Sequence, residues 1–240
     1  MIRGAGCFTT TRATDGRVWQ ARRHAERLVR DARLLGLAEL TSDACLDALA
    51  SWALNPSDGS RTIVRIEVRG DADGVVQLLG SRRAWGDDPP VWRALISPLV
   101  HPGPTRTSRV KSTDRSVYVA ALDAARAAGG DDALLFDDAG FLVEGARTNL
   151  VVVSADGLLR TPPLGRGGVA GIAREVLLDR VPALCEADLS AADVAAASEL
   201  IAINAVRGAR AITHLDDRPI GNGKAGPWSQ RLALLLDEPD

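Results

Sequence analysis

Residues 133–154 read ALLFDDAGFLVEGARTNLVVVS. The apolar run ALLF is followed by the turn sequence DDAG, and two more runs rich in aliphatic residues, FLVEG and NLVVVS, come after that turn. Asp156-Gly157 then supplies a dipeptide that favours a tight hairpin turn. This succession of apolar runs and turn residues predicts consecutive β-strands, so we expect a strand-rich domain here.

Helices are predicted on both sides of these strands. An apolar pattern with the helical period covers residues 115–128 and ends at Gly129-Gly130. Ser190, with Asp193 three residues later, is typical of a capped helix N-terminus. The other predicted helices cover residues 171–181, 190–197 and 227–236.

A glycine-rich segment lies directly before the helix predicted at residues 171–181. Residues 165–175 read GRGGVAGIARE and contain four glycines. The unpaired N–H groups and the positive dipole end of such a helix N-terminus favour a bound phosphate. The same segment matches GxGxxA from Gly165, but Pro162-Pro163 interrupts the strand that a dinucleotide-binding turn requires. We therefore predict a phosphate site and not a Rossmann turn.

The first part of the chain has a different pattern. Residues 97–104, SPLVHPGP, hold three prolines and a glycine and are the predicted linker. It separates an N-terminal α+β domain at residues 1–96 from a C-terminal domain at residues 105–240. Within the first domain, an amphipathic helix is predicted at residues 19–35. Hairpin turns are predicted at Asp15-Gly16 and Asp73-Gly74.

The composition excludes several classes of protein. Basic and acidic residues, 29 and 31 in number, give a net charge of −2, so no nucleic-acid partner is expected. No apolar run reaches the roughly 18 residues that span a membrane, and the start of the chain has no apolar signal core. We expect a cytoplasmic protein without a membrane partner. Cys7, Cys45 and Cys185 have no spacing typical of a disulfide framework or of a metal site.

Few side chains can supply an amine for chemistry, because Lys111 and Lys224 are the only lysines. Lys111 follows a short β-like run and precedes the helix predicted at residues 115–128, whereas Lys224 lies in a loop that we expect at the surface. Glu144 ends the predicted strand FLVEG. On the first helix, His24 and Arg27 lie one turn apart and could face an anion together.

Taken in order, several segments resemble the class IV, or fold-type IV, pyridoxal-phosphate enzymes, which include branched-chain and D-amino acid aminotransferases and aminodeoxychorismate lyases. The segments are GCFTTTR (6–12), HAERL (24–28), KSTDR (111–115), EGARTNL (144–150), GVAGIARE (168–175) and SELIAINAV (198–206). The resemblance implies a two-domain α+β fold, with a small N-terminal α+β domain and a larger, β-barrel-like C-terminal domain with flanking helices. It also implies pyridoxal 5′-phosphate as cofactor and a homodimer whose sites each lie between the two domains of one subunit, closed by a loop of the other.

The resemblance also implies roles for individual residues. Lys111 resembles the lysine that binds the cofactor as a Schiff base and then moves protons. Glu144 resembles the acid that faces the pyridine nitrogen and keeps it protonated. Arg27 resembles the arginine on the phosphate, where the N–H groups of Ile172 and Ala173 complete the site. The remaining residues assigned to cofactor binding are Asn149, Gly171, Asn204 and Ala205.

Within the family, the sequence favours aminodeoxychorismate lyase, which converts 4-amino-4-deoxychorismate to 4-aminobenzoate and pyruvate for folate synthesis. The opening GCFTT resembles lyases, whereas transaminases more often carry an acid near Thr9. Ala205 stands where transaminases usually carry a threonine. Thr10 is predicted to assist proton transfer to the leaving group, while Asp114 departs from the asparagine often found in lyases. Candidates for binding substrate carboxylates are Arg12, Arg106, Arg109, Arg147 and Arg207.

Two alternatives stay open from the sequence. One is a transaminase that acts on D-amino or branched-chain amino acids. The other is a non-catalytic protein that has kept the fold and binds the cofactor, although Lys111 and Glu144 argue against it.

Overall fold

The computed structural model describes residues 6–37, 39–53, 61–70 and 76–238, which form two compact units. The first unit takes the described residues up to Asp87 together with Arg109–Asp114, and the second takes Asp88–Ser108 and Arg115–Glu238. The segment 97–104, predicted as a linker, thus lies inside the second unit, and Lys111 belongs to the first. Hydrogen bonds explain this division, because the backbone around Lys111 pairs with the first strand of the chain.

The first unit is a four-stranded antiparallel sheet with two helices. Its elements are β1 (Gly6–Thr14), β2 (Arg17–Val18), α1 (Ala21–Leu34), α2 (Ser42–Ala53), β3 (Arg61–Gly70) and β4 (Val76–Ala84). The strand order is β2-β1-β3-β4. Both helices bury apolar side chains in one core with β1 and β3, around Leu28, Leu49 and Ile66. The first unit is therefore α+β, as predicted.

Local sequence explains the turns of this unit. Asp15 and Gly16 both have positive φ values, 50° and 73°, as a two-residue turn between twisted strands requires. The predicted hairpin between β1 and β2 is thereby confirmed. α1 ends before Gly36, whose φ of 70° suits glycine. The turn predicted at Asp73-Gly74 lies outside the described residues, and α2 was missed by the sequence pattern.

The second unit contains the remaining nine strands and four α-helices of the described chain. They are β5 (Val91–Ile96), α3 (Ser116–Ala127), β6 (Asp132–Phe136), β7 (Leu142–Gly145), β8 (Asn149–Val153), β9 (Leu159–Thr161), a short 3-10 helix (Leu164–Arg166), α4 (Ile172–Arg180), β10 (Leu184–Glu186), α5 (Ala191–Ala195), β11 (Glu199–Asn204), β12 (Gly208–Leu215), β13 (Arg218–Pro219) and α6 (Pro227–Asp237). The predicted helices are confirmed here, and Ser190 and Asp193 form the predicted capping box at α5.

The sheet of the second unit curls. Its strand order is β10-β9-β8-β11-β12-β5-β6-β7, with β13 beside β12, and parallel pairs join β5 to both β6 and β12. β7 ends this path, yet only three residues separate it from β8 near the other end, and the Gly145 N–H donates to the Thr148 carbonyl over 2.8 Å. A sheet whose ends meet in this way is barrel-like, as expected for the C-terminal domain.

The curled sheet buries an apolar core that includes Trp92, Leu134 and Leu150. Residues of β7 and β8 are all buried. Polar side chains on these two strands, such as Glu144, therefore lie in the protein interior. Among the described residues, no helix is long and apolar enough to cross a membrane.

Candidate active site

Lys111 is held through its backbone. Its N–H donates to Asp31 Oδ2 over 3.0 Å, and its carbonyl accepts from the Phe8 N–H over 2.9 Å. Its Nζ atom lies 5.0 Å from the centre of the Phe8 ring. The residues just before it form turns and a bend, not the short β-run that the sequence suggested. The position of Lys111 is therefore fixed through its backbone atoms.

β1 presents different residues on its two faces. Phe8 and Thr10 are two residues apart and therefore share one face of the strand, the face near the Lys111 amine. Thr9 is fully buried on the opposite face, where its hydroxyl contacts His24 on α1. The structure thus places Thr10 on the same strand face as the ring that the Lys111 amine approaches.

Arg27 and His24, predicted to point the same way from α1, are both buried and meet at Thr9. An Arg27 guanidinium N–H donates to the Thr9 hydroxyl, and His24 Nδ1 lies 2.5 Å from the same oxygen. Burial lowers the pKa of His24 well below its usual value, and the positive charges of Arg27, Lys111 and Arg12 lower it further. His24 is therefore neutral, and the cluster of cations around it suits an anionic group such as a phosphate.

Glu144 lies on β7 in the second unit and is only 2% exposed. Its Oε2 atom accepts from Asn149 Nδ2 over 3.2 Å and from the Val169 N–H over 3.0 Å. Its Oε1 atom accepts from the Tyr118 hydroxyl over 2.8 Å. Three donors thus face the two oxygens of a buried side chain, so its polar atoms are paired in the interior.

Asn149 connects Glu144 to the glycine-rich segment. Its side-chain amide donates to Glu144 and also to the Val169 carbonyl, over 3.0 Å. A Cβ atom on Gly171 would lie only 2.0 Å from Asn149 Oδ1, so no larger residue fits at this position without displacing the asparagine. The structure therefore brings three predicted residues, Glu144, Asn149 and Gly171, into one group.

The N-terminus of α4 has the features of an anion site. Gly171 is the N-cap residue, and no side chain caps the helix. Ile172 and Ala173 are each 1% exposed, and their N–H groups belong to the first turn, where a helix offers no internal acceptor. The partial positive charge of these groups suits a phosphate. In the second unit, the start of α4 therefore has the donors that an anion requires.

Asn204 builds the turn between β11 and β12. Its Oδ1 atom accepts from the N–H groups of Val206 and Arg207 over 3.0 and 2.7 Å, and its amide lies 3.5 Å from the Arg147 carbonyl. Ala205 follows within the same turn and is 8% exposed. Asn204 therefore shapes the turn, and the assignment of both residues to the cofactor stays a prediction.

The basic candidates for substrate binding differ in their surroundings. The Arg12 guanidinium stacks on Trp19 at 4.3 Å, and that of Arg147 stacks on Trp92 at 4.2 Å. Arg207 Nε lies 3.5 Å from Asp88. Arg106 and Arg109 lie in the turns ahead of Lys111, and Arg109 has a φ of 72°. Lys224 is exposed, as predicted.

Sequence reasoning missed three residues of these networks: Asp31, His101 and Tyr118. Asp31 holds the backbone of Lys111, although 80 residues separate the two. His101 lay in the predicted linker, and it contacts the Tyr118 hydroxyl that binds Glu144. No local pattern in the sequence pairs these residues with their distant partners.

Comparisons with known proteins agree with this architecture. The family model for amino-transferase class IV matches residues 6–215. A relative from Methanocaldococcus jannaschii, named "Putative branched-chain-amino-acid aminotransferase", is 28% identical over 252 residues, which cover 97% of this chain and 86% of the relative.

Solved structures share the fold. One is the "Putative 4-amino-4-deoxychorismate lyase" of Legionella pneumophila, with a TM-score of 0.87, 23% identity, and coverage of 98% of this chain and 91% of that one. Another is a hypothetical aminotransferase from Mycobacterium tuberculosis in its PLP-bound form, with a TM-score of 0.83, 21% identity, and coverage of 98% and 89%. The predicted fold class is confirmed by these similarities.

The family match extends over both units, from the first residue of β1 to the last of β12. It includes the segments around Lys111, Glu144 and the N-terminus of α4. The chain therefore belongs to the amino-transferase class IV family, whose cofactor is pyridoxal 5′-phosphate.

Proposed function

We propose that this chain is a lyase that converts 4-amino-4-deoxychorismate to 4-aminobenzoate and pyruvate. The observation that supports the lyase is the arrangement of β1. Thr10, whose hydroxyl can pass on a proton, shares a strand face with Phe8, whose ring centre lies 5.0 Å from the Lys111 amine. Thr9, near which transaminases more often have an acid, packs against α1 and binds His24 and Arg27.

In this reaction, Lys111, Glu144, Arg27 and the start of α4 have separate tasks. Lys111 holds the cofactor and, once released by substrate, carries protons. Glu144, which is held by three hydrogen-bond donors, faces the pyridine nitrogen. Arg27 and the N–H groups at the start of α4 bind the phosphate and so fix the orientation of the ring. When bound, pyridoxal phosphate supplies a ring that accepts the electron pair of the bond being broken.

In the lyase reaction, Lys111 removes the proton from the ring carbon that bears the amino group. The bond between the neighbouring carbon and the ether oxygen breaks, and enolpyruvate leaves with that electron pair. Thr10 assists the protonation of the leaving group, which becomes pyruvate. Because the six-membered ring of the substrate becomes aromatic, the reaction runs in one direction.

A branched-chain or D-amino acid aminotransferase is the second candidate. It is favoured by the relative from Methanocaldococcus jannaschii, whose alignment covers nearly the whole chain. The two candidates share Lys111, Glu144 and Arg27, so they differ in what occupies the remainder of the site. An aminotransferase converts its cofactor to the pyridoxamine form with an amino acid alone, whereas the lyase does not require this step.

The test is incubation of the purified protein with 4-amino-4-deoxychorismate, followed by detection of 4-aminobenzoate and pyruvate in equal amounts. Thr10→Val should lower the rate of product formation, and Thr10→Ser, which keeps the hydroxyl, should retain most of it. Conversion of the cofactor by amino acids without any 4-aminobenzoate would establish the aminotransferase instead. If neither reaction occurs, the protein binds the cofactor without turnover.

A further inference from the structure

A chain of hydrogen bonds within the second unit ends on Glu144. His101 Nε2 lies 2.9 Å from the Tyr118 hydroxyl, which donates to Glu144 Oε1 over 2.8 Å. The three side chains come from the loop after β5, from α3 and from β7. His101 is 3% exposed and Glu144 is 2% exposed, so the network is shielded from solvent.

The backbone fixes the direction of these hydrogen bonds. The Gly103 N–H donates to His101 Nδ1 over 3.1 Å, and an N–H group cannot accept in return. Nδ1 is therefore the unprotonated nitrogen, and the neutral ring carries its proton on Nε2. Nε2 then donates to the tyrosine oxygen, which leaves the tyrosine proton to point at Glu144.

Two further features support this direction. His101 Nε2 lies 3.7 Å from Glu144 Oε1, which is beyond hydrogen-bond distance, so Nε2 bonds to the tyrosine oxygen and not to the carboxylate. Burial, and then the charge of Glu144, raise the pKa of Tyr118 well above its usual value, so the phenol keeps the proton that it donates. The hydrogen bond from Tyr118 to Glu144 therefore has one polarity only.

The two oxygens of Glu144 are not equivalent. Oε2 accepts two hydrogen bonds, from Asn149 and from Val169, which is the usual capacity of a carboxylate oxygen. Oε1 accepts the Tyr118 hydroxyl and keeps one direction for a further donor. A ring N–H that meets this carboxylate would therefore bond to Oε1, beside the tyrosine.

We infer that His101 is a positioning residue that acts through Tyr118 to hold Oε1 of Glu144 in the orientation that receives the pyridine N–H. The inference rests on the proposed role of Glu144. Without His101, the tyrosine hydroxyl is free to turn its proton away from the carboxylate. Without the hydroxyl, Oε1 loses its fixed neighbour and Glu144 can rotate.

The first test needs no cofactor. Nitrogen NMR of protein labelled in its three histidines distinguishes the ring tautomers, and His101→Gln identifies the His101 signals by their loss. We expect a neutral His101 with the proton on Nε2. A proton on Nδ1 would reverse the hydrogen bonds and overturn the inference, whatever Glu144 does.

The second test compares pyridoxal phosphate with an analogue in which carbon replaces the ring nitrogen. Tyr118→Phe, which removes one oxygen and little else, should weaken binding of pyridoxal phosphate about tenfold, because hydrogen bonds to charged groups contribute at least that much. Binding of the analogue should not change. His101→Leu should give the same pattern, His101→Gln should restore much of the affinity through its amide donor, and His214→Gln serves as the control.

A double variant shows whether His101 acts through Tyr118. In the Tyr118→Phe background, His101→Leu should produce no further loss of affinity. Additive losses, or equal losses for both cofactors, would assign His101 a merely structural role. Glu144→Gln separates the proposed role of Glu144 from the inference about His101. If Glu144→Gln also changes the binding of both cofactors equally, the proposed role of Glu144 is wrong. If Glu144→Gln is the only variant that weakens pyridoxal phosphate more than the analogue, only the inference fails.

Discussion

At the level of single residues, Lys111 and Glu144 are held in place by different means. Lys111 is anchored by its own backbone, which pairs with Asp31 and Phe8. Glu144 is held by its side chain, which accepts three hydrogen bonds in the interior. Replacing the first side chain leaves its anchors in place, whereas replacing the second leaves buried donors without an acceptor.

Lys111→Ala should therefore abolish turnover while the protein stays folded. We expect the yellow colour of the cofactor bound to lysine to disappear, and borohydride to attach no cofactor to the chain. The free energy of unfolding should change by less than about 1 kcal/mol, because the side chain is only partly buried and the backbone anchors stay in place. Lys224→Ala, at the exposed lysine, is the matched control and should keep the colour and the activity.

Glu144→Gln should lose far more activity than Arg27→Lys. The amide is neutral, and its NH2 group must face one of the donors that now bind the carboxylate, so a loss of at least about 100-fold is expected. Lysine at position 27 keeps a positive charge for the phosphate but lacks the planar guanidinium group, so we expect a loss of activity of about tenfold. Steady-state rates with saturating cofactor measure both, and similar small losses would show that Glu144 does not face the ring.

At the level of elements, the glycine-rich segment and the β7–β8 turn support the Glu144 group. Gly171 begins α4 and leaves room for Asn149, which binds Glu144. The turn between the two strands is packed on Asp132 of β6: the Thr148 hydroxyl donates to Asp132 Oδ2 over 2.5 Å. Both contacts are tight, so small changes of volume or charge there should change the stability of the protein.

Gly171→Ala tests the first contact. The added Cβ would lie 2.0 Å from Asn149 Oδ1, so the asparagine must move and release Glu144. We expect a loss of about 1–3 kcal/mol in the free energy of unfolding and weaker binding of pyridoxal phosphate in a fluorescence titration. Gly165→Ala is the control, because nothing lies within 4 Å of its added Cβ. Equal behaviour of the two variants would contradict this account of α4.

Asp132 should make stability depend on pH. Its complete burial raises the pKa of the carboxyl to about 6 from an ordinary value near 3.8, although hydrogen bonds from Thr148 and Ala133 oppose the shift. Between these two pH values, the Asp132 carboxyl is protonated in the folded state and ionised in the unfolded state. The free energy of unfolding therefore falls as pH rises through this window. Across this window, the ionisation of Asp132 lowers the free energy of unfolding by about 2–3 kcal/mol.

Asp132→Asn should remove this dependence, since the amide has nearly the same shape and no charge. Denaturant unfolding at pH 4, 5, 6 and 7 measures it. The difference in free energy of unfolding between the variant and the parent protein should grow in favour of the variant towards pH 7. A constant difference over this range would mean that Asp132 does not titrate there.

At the level of the whole molecule, we predict a homodimer. The first unit is the smaller of the two, and small units bury a limited fraction of their surface, so burial against a second copy would stabilise it. An obligate interface of this kind buries on the order of 2,000 Å² or more. Sedimentation at micromolar concentration should show a species near twice 25.3 kDa. A fully active monomer would show that the site needs no residue from a partner.

The sequence by itself determined the elements whose cause is local. The hairpin at Asp15-Gly16, the end of α1 before Gly36 and the capping box of Ser190 follow from residues a few positions apart. The order of the motifs along the chain likewise indicated the family. Glu144 was predicted at the end of a strand, and β7 places it there.

Only the tertiary structure decided which distant residues meet. Residues 109–114 join the first unit because their backbone pairs with β1, a contact that spans some hundred positions of chain. The contacts of Asp31 with Lys111, of Tyr118 with Glu144 and of His101 with Tyr118 likewise form only when the chain folds. A hydrogen bond depends on distance and angle in space, and sequence patterns report only on neighbours along the chain.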